Sequence, residues 1–212
     1  FGDKPGFSFI LRDGAVEPPR DSVRFPSSTI VLRRNEPTEI TVVNHMTKNF
    51  ASVHWHGIEL ESFYDGVSGW SGAGARVAPA VAPNDSFVVH LTPDRAGTFI
   101  YHTHADETQQ LTSGLYGPLL VLGEDERPDT TDRLFLIGDA GPPTGPPGPA
   151  APFINGSSAP PPIELQADTP HRFRIVSISS ALTRRVRLVS ETGVELWRAV
   201  AKDGAELPPR QA

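Results

Sequence analysis

Gly97-Thr98-Phe99-Ile100-Tyr101-His102-Thr103-His104, continued by Gly114-Leu115-Tyr116-Gly117-Pro118-Leu119-Leu120-Val121-Leu122, decides how this chain is read. The first run is rich in aromatic and β-branched residues and reads as a strand. A polar interruption and a second apolar run follow, giving strand, connection, strand. Side chains two apart on a strand share a face, so His102 and His104 project together. Two imidazoles on one face are half of a metal site. A second such pair stands upstream in His54-Trp55-His56.

Outward from this stretch the chain reads as a succession of short strands. Phe7–Leu11, Thr29–Leu32, Glu39–Asn44, Ser52–His56 and Ser86–Leu91 precede it, separated by turn signals such as Arg33-Arg34-Asn35-Glu36-Pro37. With 19 glycines and 22 prolines in 212 residues, the composition favours strands and turns over long helices. Helix is expected only as a turn or two within Asp106–Ser113. Residues 61–84 form a long Gly/Ser/Ala/Pro loop holding Tyr64, Asp65 and Trp70, and a loop of that length in a packed domain is usually functional. The expectation is an all-β Greek-key sandwich or barrel over residues 1–125.

Glu124–Asp129 reads as a linker, and residues 126–212 as a second, incomplete set of strands. In that set Arg133–Gly138, His171–Val176, Arg185–Val189 and Val194–Val200 are strand candidates. Residues 141–162 carry nine prolines and read as a polyproline-like loop. The arginines alternating through 172–187 are expected on a solvated face. About 80 residues are few for a sandwich of this kind, so the set is expected to be finished by another segment, because an unclosed sheet exposes an edge.

The net charge of −6 gives no electrostatic basis for nucleic acid or an anionic membrane as partner. No apolar run is long enough to span a bilayer. With no cysteine, the chain holds neither a disulfide nor a thiolate metal ligand. An all-imidazole site suits copper, zinc, iron or nickel and disfavours magnesium and calcium. Asp106, Glu107 and Gln109 are candidate hydrogen-bond partners for ligand histidines. Trp55 and Thr103 alternate to the opposite face, where packing is their default role. His45, His90 and His171 have no paired partner.

Taken in order, His54-Trp55-His56-Gly57, Asp65-Gly66-Val67, Gly97 to His104 and Gly114-Leu115-Tyr116-Gly117-Pro118-Leu119 resemble the multicopper oxidases, the laccase-like enzymes. The resemblance covers about 120 residues, and Asn155-Gly156, Pro160–Leu165 and Arg172–Ile175 are similar to the family's following cupredoxin domain. It implies a cupredoxin fold and copper as cofactor. It implies His54 as a ligand of the type-2 copper, and His56, His102 and His104 as ligands of the type-3 pair. Asp65 matches a family carboxylate that assists proton delivery; read as a residue alone, it is an Asp-Gly turn.

The family's trinuclear centre takes eight imidazoles, so the other four are expected from another cupredoxin domain, on the same polypeptide or another subunit. That domain would also carry the type-1 copper with its cysteine. The implied reaction couples one-electron oxidation of a small reducing substrate to reduction of O2 to water, in a periplasmic or secreted compartment. These 212 residues alone are not expected to perform it. Two other readings compete. One is a non-catalytic copper-binding or structural cupredoxin module. The other is a zinc hydrolase using His102-x-His104-x-Asp106, in which a zinc-bound water attacks.

Overall fold

The computed structural model describes residues 6–14, 16, 18–19, 22–139, 152–179 and 183–208. Eight strands build the first part: β1 (Ile30–Arg33), β2 (Thr38–Val43), β3 (Val53–His56), β4 (Gly72–Ala73), β5 (Arg76–Val77), β6 (Ser86–Leu91), β7 (Gly97–Thr103) and β8 (Tyr116–Leu122). One sheet has the order β1-β8-β7-β3, and β2 pairs with β6 in a second. β1 runs parallel to β8, and the other pairings in these two sheets are antiparallel. The chain crosses between layers from β2 to β3 and again from β6 to β7, as a Greek-key sandwich requires.

Alternation decides what fills the space between the layers. Ile30 and Leu32, Val53 and Trp55, Phe99 and Tyr101, and Leu119 and Val121 point inward from the four-stranded sheet. Val89 and Leu91 of β6, with Ile40 and Val42 of β2, meet them from the other side. Each inward residue leaves its neighbour on the outer face. Burying the apolar row therefore commits His54, His56 and His102 to the outer face.

Phe7–Leu11, expected to be a strand, forms no ladder. It is tied on by Phe7 N–H to the Ser113 carbonyl (2.9 Å) and Phe9 N–H to the Ser27 hydroxyl (2.9 Å). The long loop carries a 3₁₀ turn, Ser62–Asp65, and the β4–β5 hairpin. Glu107–Leu111 is a single π-helical turn.

A second strand set contains β9 (Asp132–Gly138), β10 (Phe153–Ile154) and β11 (Arg172–Ser177), with β11 parallel to β9. It packs on the outer face of the first sheet beside the histidines, where Leu136, Val176 and Ile178 meet Ile100 and Tyr116. The alternating arginines are not all solvated. The Arg174 side chain is only 10% exposed. It bonds both carboxylate oxygens of Asp132 (2.9 and 2.7 Å), Glu126 Oε1 (3.0 Å) and Thr98 Oγ1 (2.9 Å). That guanidinium thus pins the second set to β7, and its charge is balanced by carboxylates. Residues 140–151 of the proline-rich stretch lie outside the described residues.

Two hairpins complete the described chain, β12 (Leu188–Ser190) with β13 (Gly193–Glu195) and β14 (Ala201–Lys202) with β15 (Ala205–Glu206). The single strand expected over Val194–Val200 is absent, and residues 196–200 lie between the hairpins. Leu196 and Trp197 are exposed, and no sandwich closes around them among the described residues. No helix among the described residues is long and apolar enough to cross a membrane.

Candidate metal centre

The register of β3 against β7 brings the two histidine pairs together. His54 lies directly opposite His102, and His56 opposite Ile100. Directly opposed side chains on one face of an antiparallel pair are close neighbours, and the ring centroids follow: 5.3 Å for His54–His56 and His54–His102, and 5.6 Å for His56–His102. His104, one step past the end of β7, has its ring centroid 5.7 Å from that of His54 and 6.1 Å from that of His102. One nitrogen each from His54, His56 and His102 falls within 4.8 Å of the others.

Neighbours set which nitrogen each ring can offer. His102 Nδ1–H donates to the Thr103 carbonyl (2.7 Å), which leaves Nε2 with its lone pair. That Nε2 is 3.4 Å from His56 Nδ1. Two donors about 2.0–2.1 Å from a shared ion at a near-tetrahedral angle stand at about this separation. His54 Nδ1 is 3.1 Å from the Asp65 carbonyl oxygen and 3.1 Å from its carboxylate Oδ1. Both are acceptors, so Nδ1 carries the proton and Nε2 is free for a ligand. His104 Nε2 instead faces the Glu107 carboxylate at 3.2 Å. An all-nitrogen donor set, anchored on carbonyls and carboxylates, fits a borderline transition metal such as copper.

The electrostatics also favour neutral imidazoles. Burial, followed by repulsion from the three neighbouring histidines, lowers the His102 pKa to about 4. Burial and then His54 lower that of His56. The folded His102 therefore stays neutral between about pH 6.5 and 4, whereas the unfolded chain takes up a proton there. Metal-free protein is expected to lose up to about 3 kcal/mol through this group as pH falls across that window. Denaturant unfolding of metal-free protein at pH 7 and pH 4.5 measures it. A His102→Gln variant should show a shallower decline; equal declines would mean that His102 is not held neutral.

The loop after β3 is shaped to present Asp65. Ser71 donates its hydroxyl to Asp65 Oδ2 (2.9 Å), leaving Oδ1 toward His54. Gly66 has φ +83°, and a Cβ there would collide with the Val53 carbonyl. Glycine is thus demanded where the loop returns against β3. Ser71 escapes a reading by motif, because a lone serine in a Gly/Ser loop carries no pattern. Of the candidate partners, Glu107 reaches His104, while the Asp106 carboxylate accepts from Gln109 N–H (3.0 Å). Asp106 caps the π turn, so the His102-x-His104-x-Asp106 set of a zinc hydrolase is not assembled.

The family model described as "Multicopper oxidase" matches residues 22–126, the stretch that holds His54, His56, His102, His104 and Asp65. These residues are a multicopper oxidase domain. Its similarity to known proteins extends to a "Copper resistance protein A homolog" of Pseudomonas syringae pv. tomato, 32% identical over 112 residues. That match covers 53% of this chain and 18% of the relative. "Multicopper oxidase VdtB" of Byssochlamys spectabilis is 35% identical over 118 residues, covering 55% and 16%. The chain therefore spans less than a fifth of these relatives. Among solved structures, a multi-copper oxidase from Pseudomonas thermotolerans superposes with a TM-score of 0.64 at 24% identity. It covers 77% of this chain and 42% of that one, a likeness of fold. Copper is the metal of the family, and the histidine cluster of this multicopper oxidase domain could bind it.

Proposed function

We propose that this chain forms one wall of a trinuclear copper centre in a longer multicopper oxidase, which couples oxidation of a small reducing substrate to reduction of O2 to water. The observation that carries the reading is the convergence of His54, His56 and His102 on the outer face of β3 and β7. His56 and His102, with nitrogens 3.4 Å apart, are assigned to one type-3 ion. His104 is assigned to the second type-3 ion and His54 to the type-2 ion, with four further imidazoles supplied by another cupredoxin domain. Bound copper supplies one-electron redox steps at potentials suited to O2.

The chain's own residues orient and neutralise. Thr103 holds the His102 ring through its carbonyl, and Asp65 holds His54 through its carbonyl and carboxylate. With Oδ1 beside His54 and Oδ2 bound to Ser71, Asp65 is placed to hold a proton next to the type-2 position. Residues 1–125 make up this metal-binding cupredoxin domain, and 126–212 begin a second without a metal site of its own. A sequence without cysteine offers no type-1 site, so electrons enter from outside these 212 residues, and the isolated chain is inactive. The compartment that suits such an enzyme is periplasmic or extracellular.

Copper analysis of the full-length protein, together with oxygen uptake on a phenolic reductant, tests the proposal. The expected result is copper bound with loss of O2 on adding reductant. Zinc in place of copper, or no uptake by copper-loaded protein, would overturn it.

A further inference from the structure

Gln110 is 1% exposed, and its side-chain hydrogen bonds go to residues other than the histidines. Its Oε1 accepts from Thr103 Oγ1 at 2.6 Å, and its Nε2 donates to the Phe50 carbonyl at 3.1 Å. Thr103 is fully buried and stands between His102 and His104. Phe50 lies just ahead of β3, which carries His54 and His56. One amide therefore joins the end of one histidine strand to the approach to the other. The two strand ends have a further tie, His104 N–H to the Ser52 carbonyl at 2.9 Å.

We infer that Gln110 is a positioning residue for copper, clamping Thr103 and Phe50 so that the two histidine pairs keep their spacing. The inference rests on the proposed copper-binding role of those histidines. Three features of the clamp bear on the metal and not merely on the fold. Thr103 supplies the carbonyl that orients His102, so a rotation of its peptide turns that ring. Its Oγ1 also accepts from Ala105 N–H (3.3 Å), which steers the chain at His104. Finally, Gln110 N–H donates to the Asp106 carbonyl (2.7 Å) and its own carbonyl accepts from Leu115 N–H (3.0 Å). The amide is thereby held at the end of a π turn, a rare geometry that recurs at functional sites. A side chain of similar length without the amide would leave the buried Thr103 hydroxyl without an acceptor and would take a donor from the Phe50 carbonyl.

The test uses the full-length protein and three forms: parent, Gln110→Met, and Thr103→Val/Gln110→Met. Copper affinity, the Cu(II) EPR spectrum and the melting temperature are read for each. Gln110→Met is expected to weaken copper binding by about 10–100-fold and to change the EPR spectrum. The double variant removes the orphaned hydroxyl, losing only the longer Ala105 N–H contact, and should regain part of the melting temperature while its copper binding stays weak. A structural role alone would let copper binding return with stability, so parent-like affinity and EPR in either folded variant overturn the inference. If Gln110→Met does not fold, the double variant decides by the same readout. A parent that binds no copper overturns the underlying reading, and the clamp with it.

Discussion

Replacing His102 with alanine in the full-length protein is expected to abolish oxygen uptake, a loss of at least about 10³-fold, while the domain stays folded. The large effect follows from the position of its Nε2, 3.4 Å from His56 Nδ1 and within 4.8 Å of the His54 donor. Groups that act as one unit fail together, so losing one donor costs nearly as much as losing all. The small effect on folding follows from alternation. Phe99 and Tyr101 carry the packing of β7, whereas His102 lies on the opposite face. Stability should change by only about 1 kcal/mol. Copper content, oxygen consumption and a thermal melt measure the three quantities. His90→Ala serves as the control, because His90 is exposed and faces Glu39. Retained turnover in His102→Ala, or an unfolded variant, would contradict the assignment.

Trp55→Ala is expected to have the opposite profile, with folding lost first. Trp55 is 1% exposed, between two histidines in sequence but on the core side of β3. It stacks on Tyr101 with ring centroids 6.1 Å apart. Truncation should cost about 3–5 kcal/mol, a large part of the 5–15 kcal/mol of an ordinary domain. Its Nε1–H is buried without a hydrogen-bond partner. Trp55→Phe therefore orphans nothing and should cost below about 2 kcal/mol. Urea unfolding of both variants decides: a cost under about 1 kcal/mol for Trp55→Ala would mean that the two layers do not pack around it.

Trp55 and His102 differ in role because a strand has only two faces, and the period of two alone separates Trp55 and Thr103 from the histidines. The strands bearing the pairs, the sandwich and the copper-type donor set are legible in the chain for the same reason: each is a local pattern. Residues whose partners are distant in sequence mislead. The Arg172–Arg174 alternation reads as solvated, yet Arg174 is largely covered because Asp132, Glu126 and Thr98 converge on it from other elements. Phe7–Leu11 alternates like a strand but forms no ladder, and Ser27 and Ser113 hold it instead.

The sequence by itself determined that two His-x-His pairs lie on or at the end of strands, that no thiolate is available and that the chain is built from short β elements. Whether the two pairs meet was decided by the tertiary structure alone. Their meeting depends on the antiparallel register that sets His54 against His102, and register is a property of two strands at once. The same holds for Ser71 behind Asp65 and Gln110 behind Thr103, whereas Glu107, three residues from His104, is already a candidate in the sequence. Ser71 and Gln110 are ordinary polar residues in the chain and become part of the site only where folding brings a partner within hydrogen-bond reach.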